Sequence, residues 1–165
     1  PVLAPGLRSR CVYEEDMLLT VREDHPFALG DTPIPIGDLA DLPFVLYGAI
    51  NGAGFNEHFF AMCEEAGFVP RVAAEASSVA TLLGLVAAGF GATVLAQSLV
   101  RLHVESIVFR EISPAVTTRL WMIHKDRLSP AAAAFHDGLL AAETAEADAR
   151  ADPLANSFAG DALPG

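Results

Sequence analysis

The most informative residues of this chain read EASSVATLLGLVAAGFGATVLA, at positions 75–96. Ser77 or Ser78 is expected to cap a helix, because a serine oxygen accepts a hydrogen bond from a free backbone N–H of the first turn. The apolar residues that follow recur at helical spacing, namely Val79, Leu82, Leu83 and Val86. Gly89 is expected to end this helix in the left-handed conformation, and residues 92–95 resemble a strand buried on both faces. The stretch therefore predicts one α/β packing unit.

The residues before this stretch extend the same pattern. Apolar and β-branched runs predict strands at 17–21, 44–47 and 71–76. A glycine-rich turn after the second run leads into a helix whose apolar stripe is Phe55, Phe59, Met62 and Ala66. Gly67 is expected to end that helix, with Phe68 packing back on its last turn. The order strand, helix, strand, helix, strand predicts a βαβαβ unit of the α/β class.

The residues after it add two strands and a helix. Residues 107–109 and 118–124 read as strands, and we expect Trp121 to lie in the core. Ser129 and the proline after it predict the start of a final helix. Its inward face is expected to consist of Phe135, Leu139 and Ala142. From about Thr144 the chain turns to Ala, Asp, Glu, Gly and Pro, which predicts a disordered acidic tail.

Composition limits the classes of function. With 165 residues, of which 52% are hydrophobic, the chain has enough apolar surface for a substantial core. The net charge of −11 and ten scattered Lys and Arg argue against nucleic-acid binding by these residues themselves. Residues 76–100 carry no charge, but their glycines and polar side chains favour a buried helix and strand over a membrane span. Two cysteines fit a reducing cytosol, and a start at Pro1 suggests a fragment.

Patterns typical of enzymes and metal sites are weak. The five histidines do not fall at metal-ligand spacing, so structural or surface roles are expected for them and no metal is predicted. No nucleophile elbow or paired carboxylates indicate catalysis, and we predict no catalytic residue and no cofactor. The glycines around Phe90 lack the remaining glycine of a dinucleotide fingerprint and follow a helix. Residues 14–16, Glu-Glu-Asp, read as a solvated acidic turn.

Several segments resemble one family. Residues 75–96 are similar to the effector-binding domain of LysR-type transcriptional regulators, with LGLVAAGFGATVLAQS at the centre of the likeness. Four further segments agree in order and spacing: DHPFA at 24–28, DLADLPFV at 38–45, EAGFVPR at 65–71, and RLSP at 127–130 leading to Phe135. One departure is Ala96, where the family usually has proline.

The resemblance implies a periplasmic-binding-protein-like fold of type 2, with two Rossmann-like α/β subdomains and an effector in the cleft between them. Residues 1–23 would end the first subdomain and form a crossover strand, and 24–117 would form an essentially complete second subdomain. Residues 118–144 would return to the partial first subdomain, and 145–165 would be the tail. The rest of the first subdomain and a winged helix-turn-helix are expected upstream. The implied partners are a small-molecule effector and further copies in a homo-dimer or homo-tetramer, with DNA bound only through the absent domain and no membrane contact.

A candidate effector site follows from the turns after two strands. Helix N-termini bind small anions, and ligands of open α/β sheets lie beyond the carboxyl ends of the strands. We therefore expect a metabolite carboxylate to contact the residues of these two turns: Tyr47, Gly48, Asn51, Gly52, Gly54, Phe55, Ser77 and Ser78. The plain alternative is that the serines only cap their helix and that the glycines only form a turn.

Two other functions share this two-lobed fold and stay open at this point. A solute-binding protein of a transport system would carry a secretion signal upstream, and a small-molecule lyase or dehydratase would show turnover. A partial first subdomain would also leave apolar side chains uncovered, which predicts poor solubility or self-association. The side chains expected to be uncovered are Leu18, Leu120, Met122 and Phe135.

Overall fold

The computed structural model describes residues 4–48 and 56–151. The strands are β1 (Leu7–Arg22), β2 (Ile34–Pro35), β3 (Pro43–Tyr47), β4 (Arg71–Ala76), β5 (Thr93–Ala96), β6 (Ile107–Arg110), β7 (Ile112–Ser113) and β8 (Val116–Lys125). The helices are α1 (Glu57–Glu65), α2 (Val79–Ala87) and α3 (Pro130–Ala151). The chain divides into a smaller unit, Pro1–Tyr13 with Arg119–Gly165, and a larger unit, Glu14–Thr118.

The larger unit is built on parallel strands joined by helices. β3 pairs with β4 in parallel, and Tyr47 lies opposite Ala76 at the end of the pair. β5 continues this order, because Ala92 just before it forms a parallel bridge with Phe44. The bridge is closed by hydrogen bonds from the Val45 N–H to the Ala92 oxygen (2.7 Å) and from the Ala92 N–H to the Pro43 oxygen (2.8 Å). The predicted order of strands and helices is confirmed.

The two faces of this sheet are covered by different helices. Phe44 and Leu46 point to one side, where they share a core with Phe59 and Cys63 of α1. Val45, between them in sequence, belongs to a second core that includes Leu82 and Leu83 of α2. Because successive side chains of β3 point to opposite faces of the sheet, this strand contributes to both cores. Burial raises the pKa of the Cys63 thiol to about 12, so this side chain acts as a small apolar group at neutral pH.

Both helix ends in this unit follow the sequence signals. The Ser78 hydroxyl accepts a hydrogen bond from the Thr81 N–H at 3.2 Å and caps α2. Gly89 follows α2 with a φ of +81°, and Gly67 follows α1 with a φ of +89°. The Phe68 N–H bonds the Cys63 oxygen at 3.0 Å, which closes the end of α1 as a glycine-capped helix does.

β1 differs from its prediction in length and in environment. It begins at Leu7 rather than at residue 17, so residues 14–16 lie within a strand and the predicted acidic turn is wrong. Its second half pairs antiparallel with β5 and β6, an arrangement that depends on partners distant in sequence. Leu18 is only 8% exposed, so the expectation that it is uncovered is also wrong; it lies opposite Leu95, where β1 pairs with β5.

The smaller unit joins the start of β1 to β8 and to α3. The Asp126 N–H bonds the Gly6 oxygen at 3.1 Å, and Arg8 Nε donates to Asp126 Oδ1 at 2.6 Å. As predicted, Ser129 begins α3, since its hydroxyl accepts from the Ala132 N–H at 3.3 Å. The helix continues to Ala151, beyond the expected start of the tail at Thr144, because Ala and Glu are strong helix formers.

The apolar side chains of this unit are more exposed than expected. Trp121 is 40% exposed, so it does not occupy a core as predicted. Phe135 is 68% exposed, which contradicts its place on an inward face but confirms the expectation that it is uncovered. Ala142 is also exposed, whereas Leu139 is half-buried. Leu120 is 63% exposed, which confirms that it is uncovered. The described residues of the smaller unit therefore leave Leu120, Trp121 and Phe135 largely uncovered.

Candidate functional site

The candidate site lies at the carboxyl edge of the parallel strands in the larger unit. β3 ends at Tyr47 and β4 ends at Ala76, and the Gly48 N–H donates to the Ala76 oxygen at 3.1 Å. The residues that follow the two strands, Gly48 and Ser77, therefore start from adjacent points of one edge. Backbone pairing thus places the first residues of both predicted turns side by side.

The two serines before α2 have different roles. Ser78 is the cap of α2, and its hydroxyl also lies 2.9 Å from the hydroxyl of Thr81. Ser77 is exposed, one residue nearer to the strand, and its hydroxyl has no hydrogen-bond partner among the described residues. The plain alternative of helix capping therefore explains the side chain of Ser78 but does not explain that of Ser77.

The other turn is only partly described. Asn51, Gly52, Gly54 and Phe55 lie outside the described residues, so their predicted contacts stay predictions. Asn56, directly after them, is 8% exposed, and its side-chain amide donates to the Tyr47 oxygen at 3.1 Å. This bond ties the start of α1 to the end of β3 and fixes both ends of the turn. Sequence reasoning missed Asn56, because its side chain does not cap α1 but bonds the end of a strand nine residues away.

A carboxylate lies beside the edge as well. A Cβ placed on Gly48 would be 3.0 Å from Glu75 Oε2, so this side chain lies against the Gly48 backbone. Glu75 is exposed and introduces a negative charge where an anion is predicted to bind. Burial raises the pKa of Tyr47, so its phenol stays neutral at physiological pH and is suited to hydrogen bonding. Sequence reasoning did not assign Glu75 to the site.

The turn after β5, the third strand of this edge, contacts a carboxylate of the same unit. Glu15 of β1 accepts hydrogen bonds from the Ser98 N–H at 2.7 Å and from the Ser98 hydroxyl at 3.1 Å. Ser98 lies in a short helix, Gln97–Leu102, that directly follows β5. Both Ser98 donors are therefore satisfied within the larger unit.

Two cavities of the larger unit lie elsewhere. One of about 140 Å³ is lined by Arg22, Asp24 and Gly91, near the amino ends of β3 and β5. Its Arg22 and Asp24 form an exposed ion pair at 2.6 Å, and the hydrogen bond from Arg22 lowers the pKa of Asp24. The other, of about 260 Å³, is lined by Arg110 and the loop after β1. Neither cavity includes a predicted site residue.

Among residues 4–48 and 56–151, no group of three or more His, Cys, Asp or Glu side chains is arranged to hold a metal ion. Within the same residues, the helices are too short or too polar to cross a membrane.

The sheet of parallel strands with helices on both faces is an α/β domain of the periplasmic-binding-protein-like type 2 fold. The family model described as the LysR substrate binding domain matches residues 1–143. The chain therefore belongs to the LysR substrate-binding domain family.

Relatives and solved structures agree with this membership. The HTH-type transcriptional regulator ShiR of Corynebacterium glutamicum (strain R) is 32% identical over 94 residues, which cover 57% of this chain and 32% of ShiR. The chain spans less than half the length of the first curated relatives that it matches. The names of these relatives favour a regulator over a transport protein or a lyase.

Two solved structures show the likeness of the fold. The C-terminal domain of a probable LysR family transcriptional regulator from Rhodococcus sp. RHA1 is 28% identical, with a TM-score of 0.68. The match covers 83% of this chain and 69% of that one. The BenM effector binding domain with its effector benzoate has a TM-score of 0.77 at 19% identity, covering 89% of this chain and 68% of that one.

Proposed function

We propose that this chain is the effector-sensing and oligomerisation part of a LysR-type transcriptional regulator. The observation that carries the proposal is the family match over residues 1–143. In this role the domain binds a small metabolite and controls DNA binding by an N-terminal winged helix-turn-helix of the intact protein. It acts in the cytoplasm as a homo-dimer or homo-tetramer, and it is a sensor and not an enzyme.

We further propose that the effector is a small anion held at the carboxyl edge of β3 and β4. The unpaired N–H groups at the start of α2 favour a negative charge, and the Ser77 hydroxyl adds a donor beside them. The predicted contacts on the other turn are Tyr47, Gly48, Asn51, Gly52, Gly54 and Phe55, with Ser78 at the helix start. The naming of benzoate as the effector of BenM, a fold neighbour, supports a carboxylate as the first compound class to test.

The mechanism requires the effector to distinguish two states of the regulator. A ligand shifts an equilibrium only by its difference in affinity for the two states. Glu75 opposes an anion at this edge, so the binding free energy comes from the donors near Ser77 after this repulsion is overcome. Attraction by the donors that is partly offset by repulsion from Glu75 gives moderate affinity. Moderate affinity suits a sensor, because the effector has to dissociate when its concentration falls.

The test compares three variants of the intact regulator. Benzoate and related small carboxylates are screened by the shift in melting temperature that they cause, and the concentration dependence of each hit is measured. Ser77→Ala is expected to weaken the response about tenfold, the effect of about 1.4 kcal/mol from a lost hydrogen bond to a charged group. Glu75→Gln is expected to strengthen it, because a repulsive charge is removed.

Ser78→Ala provides the matched control. It removes the helix cap and is expected to lower the free energy of unfolding by about 1 kcal/mol. Its effect on the carboxylate response should be smaller than that of Ser77→Ala. DNA affinity without effector should be the same in the Ser77→Ala protein and the unchanged regulator. An identical response of the Ser77→Ala and unchanged proteins would remove Ser77 from the site.

A further inference from the structure

Two histidines of the smaller unit meet although they are twelve positions apart in sequence. His124 lies on β8 and His136 on α3, and their ring centroids are 5.2 Å apart with the ring planes at 78°. Both residues are half-buried. No short sequence motif joins them, so the sequence spacing predicted surface or structural roles.

The partners of the two rings select the same tautomer. His124 Nδ1 lies 2.8 Å from the Lys125 carbonyl oxygen, and His136 Nδ1 lies 3.0 Å from Asp137 Oδ1. A carbonyl oxygen and an ionised carboxylate only accept hydrogen bonds, so each Nδ1 donates its N–H. In the neutral rings the lone pair is therefore on Nε2. Metal-binding histidines characteristically have such a partner, a carboxylate or a backbone carbonyl, on the other ring nitrogen.

The separation of the rings also fits a shared metal ion. Zinc binds imidazole nitrogen at about 2.0–2.1 Å in tetrahedral geometry, which places the centroids of two bound rings roughly 5 Å apart. We propose that His124 and His136 together bind a divalent transition-metal ion of the zinc class through their Nε2 atoms. With two protein ligands, water molecules occupy the other two coordination positions.

The surroundings favour a cation and suggest its effect. The carboxylate of Asp137, which accepts from His136 Nδ1, places a negative charge beside this ring. Because one ligand is on β8 and the other on α3, the ion would link the strand to the helix. Binding to the folded state alone raises stability as the ion concentration rises. Zinc would therefore stabilise the smaller unit, which has few buried apolar side chains of its own.

Zinc binding by the 165-residue chain, produced without a polyhistidine tag, tests the proposal. Competition with a fluorescent zinc indicator is expected to show one site per chain, and the melting temperature should rise with zinc. His124→Ala and His136→Ala are each expected to weaken binding by more than tenfold and to abolish the zinc-dependent rise. Asp137→Asn should weaken binding by about 10- to 100-fold while both ligands remain.

His58→Ala is the matched control, because this exposed histidine lies on α1 in the larger unit. It should bind zinc as the unchanged chain does. Where an alanine variant loses the circular dichroism of the folded chain, the glutamine variant at the same position takes its place. Equal zinc affinity in His124→Ala and the unchanged chain would overturn the proposal, as would the absence of zinc binding by the unchanged chain.

Discussion

Gly91 is a residue at which the backbone leaves no room for a side chain. A Cβ there would lie 2.3 Å from the Pro43 oxygen, the atom that accepts the Ala92 N–H. Gly91 also has a φ of +156°. Any side chain would separate β3 from the start of β5, at the point where the parallel strands approach each other.

We predict that Gly91→Ala lowers the free energy of unfolding by about 2–4 kcal/mol, because overpacking and backbone strain act together. Urea unfolding followed by circular dichroism measures the change. Gly84→Ala is the control, since nothing lies within 4 Å of a Cβ at that position of α2. There alanine should raise stability by about 0.5–1 kcal/mol. Equal stabilities of the Gly91→Ala and unchanged proteins would contradict the close approach.

Individual residues of the candidate site were only partly predictable. The Ser77 and Ser78 pair indicated a helix cap, because capping depends on two or three neighbouring residues. Which serine caps the helix depends on where the strand ends, and that is fixed by the pairing of Tyr47 with Ala76. Glu75 and Asn56 contribute through contacts across the edge, with Gly48 and with the Tyr47 oxygen. Contacts of this kind leave no local pattern in the sequence.

At the scale of elements, one buried arginine holds a long connection in place. Arg110, at the end of β6, is 8% exposed and donates to the carbonyl oxygens of Phe27 (2.7 Å), Leu29 and Thr32 (2.8 Å). The connection between β1 and β2 contains little other regular structure apart from one short helix, Pro26–Ala28. A planar guanidinium with several donors is suited to bind three carbonyl groups at once.

We predict that Arg110→Ala lowers the free energy of unfolding by about 1.5–3 kcal/mol, since three carbonyl groups lose hydrogen bonds from a buried, charged donor. The connection should also be cut faster in limited proteolysis, with cleavage near the exposed Leu29. Arg101→Ala, which changes an exposed arginine, should leave both measurements unchanged. Unaltered cleavage near Leu29 in the Arg110→Ala protein would show that other contacts hold the connection.

Elements with local signals were predicted closely, and elements that depend on distant pairing were not. β4 spans the six residues expected, and α2 lies between its predicted serine cap and Gly89. β1 is much longer than its apolar core of residues 17–21 suggested. Its charged half is extended because it pairs with β8, and Glu15 is held by Ser98. Neither partner is recognisable from the residues around β1.

At the scale of the whole molecule, the two units differ in how well they bury apolar side chains. The larger unit has two cores, one on each face of its sheet. In the smaller unit, Leu120, Ile123 and Phe135 are each more than half exposed. Apolar composition predicted a substantial core but not its uneven distribution, because composition does not record which residues share a unit.

We predict that the 165-residue chain self-associates at micromolar concentrations, because burying these exposed apolar side chains between two chains lowers the free energy. Sedimentation velocity should show species heavier than the 17.4 kDa chain. A Leu120→Lys and Phe135→Lys double variant should shift the distribution toward the single chain. Val69→Ser, at an 84% exposed position of the larger unit, should not. A single-chain mass for the unchanged protein at all concentrations would contradict the prediction.

The division of the chain has a consequence for its synthesis. The larger unit is one continuous stretch, Glu14–Thr118, inserted between the two segments of the smaller unit. On the ribosome, the first half of β1 emerges early, but its partner β8 becomes available only after the larger unit has been translated. Domains generally fold as units while the chain is being made. We therefore expect the larger unit to complete its folding first, and the smaller unit to be assembled later, from the two segments that flank it.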